Sequence, residues 1–116
     1  MSVKKKILDS IKYVKEELGY TLVSEDWGSA KHKCACALGC VLIQKNKENE
    51  LSTSESAKAA AELLEVDEAW VDAFINGFDI NGTATESPFP EAWEMGYQVA
   101  KETRPIPYHL WDGNPT

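Results

Sequence analysis

Four side chains able to hold a metal or attack an electrophile fall within nine residues, as His32, Cys34, Cys36 and Cys40. Thiolate sulfur and imidazole nitrogen are good zinc ligands, which makes these four a candidate metal centre. The spacing argues against it. Structural zinc sites usually pair a short two-cysteine knuckle with a second, distant pair, whereas all four candidates here share one stretch. On a helix, Cys36 and Cys40 stand one turn apart on one face, and Cys34 lies about 160° away. His109 is the one distant nitrogen able to complete a set. Free cysteine behaves as a small buried hydrophobe, so core packing is the preferred reading and no cofactor is expected.

Nucleophilic catalysis needs a cysteine or serine beside a base and an orienting group. His32 and His109 are the two histidines, and neither sits in a motif that fixes such geometry. No catalytic residue is assigned, and the chain reads as a non-enzyme. Asp79-Ile80-Asn81-Gly82-Thr83 has a passing likeness to a calcium loop. Its glycine comes two positions early, however, and Pro90 stands where the bidentate glutamate belongs. It reads as a loop with a tight turn.

Charge is the other chemical signal. The formal net charge is −7, and residues 51–100 carry ten acids against one lysine, Lys58. A field of that sign repels nucleic acid and anionic lipid and favours basic protein surfaces. Glu62, Glu65, Asp67, Glu68 and Asp72 are the candidate partner-binding residues.

The elements that must position these groups follow from periodicity. With 116 residues and 43% hydrophobic content, the chain suits one core without disulfide staples. Three cysteines packed into seven residues, and an amphipathic rather than secretory start, point to a reducing, cytoplasmic setting. The longest uncharged run, Cys34 to Gln44, is far short of the ~20 apolar residues that span a bilayer, so no membrane partner is expected.

Ser2 caps a first helix whose Val3, Ile7, Ile11, Val14 and Leu18 share a face, with Gly19 beyond its end. Tyr20 to Val23 is extended but too brief to imply a sheet. Cys34 to Ile43, apolar all round, predicts the central helix, with Gly39 admitting a neighbouring helix. Ser52 and Glu55 spell a capping box before an Ala57, Ala60, Ala61, Leu64 stripe. Asp67 caps a helix that buries Trp70, Val71, Phe74 and Ile75 and ends at Gly77. A last helix over Glu91 to Thr103 carries Trp93, Tyr97 and Ala100. The expected architecture is all-α: a single compact five-helix domain over residues 1–103. Residues 104–116 form an extended Pro-rich tail, packed on the domain or mobile.

Residues 60–77 resemble the helix-turn-helix core of phage-repressor-like proteins, with Ala61, Val66 and Val71 at the matching positions and Ile75-Asn76-Gly77 closing the pair. Glu65 replaces the turn glycine. The resemblance implies a helix-turn-helix-like corner. The order of the whole chain, with Cys36-Ala37-Leu38-Gly39 and Gly96-Tyr97, is similar to short uncharacterised bacterial and phage helical proteins, which implies no function. A recognition helix needs Lys and Arg against phosphate, and none lies between Lys58 and Lys101. The first expectation is therefore a small acidic protein-interaction module, regulatory or inhibitory, with a basic protein partner. A helix-turn-helix DNA-binding regulator is the alternative, and a zinc- or thiol-dependent protein the third reading.

Overall fold

A computed structural model describes residues 2–113. It holds five α-helices, α1 (Val3–Glu16), α2 (Ala37–Gln44), α3 (Ser56–Leu64), α4 (Glu68–Phe78) and α5 (Pro90–Thr103). It also holds a four-stranded sheet of β1 (Thr21–Ser24), β2 (Gly28–Ser29), β3 (Cys34–Ala35) and β4 (Ile106–Pro107), in the order β2-β3-β1-β4. The all-α expectation is thus overturned: the protein is mostly helical but carries a mixed sheet. β1 pairs in parallel with β3 and with β4, while β2 and β3 run antiparallel. Three of the strands are two residues long, too short for any alternation to register. The extended Tyr20 to Val23 segment proves to supply the longest strand. Pro107 is tolerated because β4 lies at a sheet edge.

α1 forms as its pattern dictates. The Ser2 side chain accepts the Lys5 N–H, and Ile7, Ile11 and Val14 are buried. α2 is the most enclosed element, with Ala37 through Ile43 all buried. Its beginning differs from expectation. Cys34 and Ala35 belong to β3, and Cys36 is the N-cap of α2, its Sγ accepting the Gly39 N–H at 3.3 Å. A wholly buried strand and a wholly buried helix look alike as an apolar run, which is why the two merged. Gly39 admits a loop rather than a helix: a Cβ there would lie 2.3 Å from the Trp27 carbonyl oxygen.

α3 starts without the expected capping box. Ser52 is left-handed, with φ 56°, and its hydroxyl donates to Asp26 and to the Gly28 carbonyl. Ser56, buried, instead donates to the Glu50 carbonyl and accepts the Thr53 N–H. The α3–α4 corner turns through Glu65, left-handed at φ 58°, and Val66, whose N–H reaches the Ala61 carbonyl at 3.0 Å. α4 runs one residue past Gly77, so that glycine is a packing residue within the helix. The core centres on Ile7, Leu38, Leu42, Phe74 and Val99. No helix among the described residues is long and apolar enough to cross a membrane.

Candidate functional site

Between β1, the start of α2 and the end of α4 lies a cleft of about 230 Å³. The segment after β1 builds its rim. Glu25 is held left-handed at φ 74°, and its N–H donates to Asp79 Oδ1 at 2.9 Å, tying β1 to the C-terminus of α4. Asp26 turns back on the chain, its Oδ1 accepting the Gly28 N–H and the Ser52 hydroxyl. The carbonyl of Trp27 accepts the Cys36 N–H at 3.1 Å, which seats the beginning of α2 against the same segment. The floor is apolar, from Ala37, Leu38, Phe74 and Phe78.

The tail completes the rim from outside. Once β4 has paired with Val23 and Ser24, Tyr108–Leu110 makes a single 3-10 turn, and His109 Nδ1 meets Glu25 Oε1. The imidazole hydrogen bond, with its charge, holds the Glu25 carboxyl below the usual glutamate range. Asp79 moves the other way. Burial pushes its carboxyl up, and the negative Glu25 adds to the rise against the lowering effect of the Glu25 N–H.

Cys36 lines the cleft, but burial pushes its thiol up to about 12, so it stands protonated at neutral pH. His109 is directed at Glu25 and not at this sulfur. The arrangement therefore offers carboxylates above an apolar floor and no thiolate–imidazolium couple. Cys34 sits in β3, Cys40 within α2 and His32 in the turn before β3, so the candidate metal ligands are spread over separate elements. Among the described residues, no group of three or more His, Cys, Asp or Glu side chains is placed to hold a metal ion.

Glu62 on α3, Glu65 at its end, Asp67 before α4, and Glu68 and Asp72 on α4 are all exposed. Among the described residues none of the five makes an ion pair, whereas Asp9, Glu102 and Glu25 pair with Lys5, Lys4 and His109. Sequence reasoning missed Glu25, Asp26 and Asp79. Asp79 reads only as part of a loop with a tight turn, and no local signal joins positions so far apart. No known protein family, curated protein or solved structure matches this chain.

Proposed function

We propose that the protein is a non-enzymatic interaction module that presents the acidic α3–α4 corner to a basic protein surface, in a regulatory role. One observation carries this reading. Glu62, Glu65, Asp67, Glu68 and Asp72 gather at one helix corner, all exposed, and none of them has an ion-pair partner among the described residues. Unpaired carboxylates on two adjoining helices raise the local negative potential and steer a positive partner. The same field opposes nucleic acid. In the DNA-binding alternative Lys4, Lys5, Lys6 and Lys12 of α1 would supply the phosphate contacts, and two of these four are engaged, Lys4 by Glu102 and Lys5 by Asp9.

The test is affinity capture with the intact chain and with a variant in which the five acids become Gln or Asn. A supporting result is a basic protein held at low salt by the native chain, shed as salt rises, and lost by the variant. Capture that ignores both salt and the five substitutions overturns the reading, as does the absence of any captured protein.

A further inference from the structure

The cleft beside β1 is separate from that corner, since none of the five corner acids lines it. Three carboxylates line it, from Glu25, Asp26 and Asp79; among the described residues no lysine, arginine or histidine does, and His109 meets Glu25 from outside the cleft. Asp79 is part-buried; its Oδ1 takes the Glu25 N–H, and its second oxygen makes no hydrogen bond among the described residues. Beneath these groups the lining is carbon: Phe74 and Phe78 are buried at its base, their rings stacked at 6.3 Å, and half-buried Trp27 and Ile75 supply apolar surface open to the cleft.

This pairing of rim and floor selects a ligand chemistry. Carboxylates repel phosphates and organic acids, and a hydrated metal ion wants oxygen on all sides, which an aromatic floor does not supply. A neutral hydrocarbon makes no use of the rim. An organic cation with an apolar body satisfies both, its charge meeting carboxylate and its carbon lying against Trp27 and Ile75. Size narrows the class further. An apolar cavity of about 150 Å³ already admits a benzene, so about 230 Å³ takes one ring with a short charged arm.

We infer that the cleft bounded by Glu25, Asp79 and Phe78 is a binding site for a small aromatic ammonium ion, its ring on the floor and its nitrogen at the carboxylate rim. This goes beyond the protein-interaction reading and stands or falls separately from it.

Phenethylammonium is the probe and 2-phenylethanol its neutral counterpart, both titrated into the intact protein and followed by calorimetry and amide NMR shifts. The expected result is saturable binding of the ammonium, at least about tenfold tighter than the alcohol, with shifts centred on residues 25–27, 36–38 and 74–79. Asp79→Asn keeps an acceptor for the Glu25 N–H but removes the charge, and it should lower affinity about tenfold. Equal binding of ammonium and alcohol overturns the inference, as does no saturable binding, or shifts centred elsewhere. Full affinity in a folded Asp79→Asn protein does so too. Should that variant not fold, the ammonium-to-alcohol comparison on the native chain decides alone.

Discussion

Gly77 and Gly96 interlock the backbones of α4 and α5. A Cβ on Gly77 would lie 1.9 Å from the Trp93 carbonyl oxygen, and one on Gly96 would lie 2.0 Å from that of Phe74. Each glycine thus sits beneath a carbonyl three residues before the other. Both obstacles are main chain, so neither can swing aside as a side-chain tip would.

Substitution at this seam is the first test. Gly77→Ala or Gly96→Ala should each cost about 3 kcal/mol or more in denaturant unfolding, because overpacking here displaces a helix. Gly19→Ala is the control. Gly19 has φ 74° with open space around it, so its cost should be only the left-handed penalty of about 1 kcal/mol. Equal losses at all three positions would show that the seam is looser than described.

The α3–α4 turn invites the opposite result. Glu65 ends α3 in a left-handed conformation where glycine is the usual residue. Glu65→Gly should stabilise the protein by about 1 kcal/mol, and Glu62→Gly, within α3, should destabilise it by a similar amount. Thermal unfolding of the two variants reads the sign directly. A loss of stability in Glu65→Gly refutes the turn geometry.

The buried thiols set an alkaline limit. Burial raises Cys36 from 9.0 to about 12 and also pushes Cys40 up. The folded chain therefore keeps protons that the unfolded chain releases above pH 9. The associated stability is complete below that point and declines as pH climbs toward the folded values. Each such thiol steepens the loss by about 1 kcal/mol per pH unit. Cys36→Ala should flatten this decline, as measured by urea unfolding between pH 8 and 10. In the folded protein all three cysteines should resist a disulfide reagent at pH 8, and rapid labelling of any one contradicts their burial.

At the rim, His109 and Glu25 supply a pH test with a defined sign. The hydrogen bond from the imidazole depresses the Glu25 carboxyl, so its stabilising effect is present above the ordinary glutamate range and is lost as pH falls through the depressed value. His109→Ala should return Glu25 to an ordinary titration, followed by carboxyl-carbon NMR. An unchanged Glu25 curve means that the tail does not dock in solution as described.

The legible parts of the fold were those written locally. α1 carries its cap at Ser2 and its buried face at Ile7, Ile11 and Val14, and of the Ala57, Ala60, Ala61, Leu64 stripe of α3 the last three are buried and Ala57 is half-buried. The sheet was not legible, because β1 finds partners in Cys34–Ala35 and Ile106–Pro107, pieces without periodicity of their own. Ser52 and Glu55 had the letters of a capping box. A distant Asp26 and the Gly28 carbonyl claim the Ser52 hydroxyl instead, so tertiary contacts override the local motif. The cleft was invisible for the same reason. Its rim joins Glu25 to groups 54 and 84 positions away, at Asp79 and His109.

That separation also orders events in time. A nascent chain lays down Glu25 long before Asp79 and His109 emerge, and distant closures are slow because loop entropy is lost before contacts repay it. The helices have local reasons to form early, whereas the acidic rim needs Asp79 brought to Glu25 and the tail brought to β1. The contacts of Glu25 with Asp79 and His109 are therefore late ones, set after the local helices.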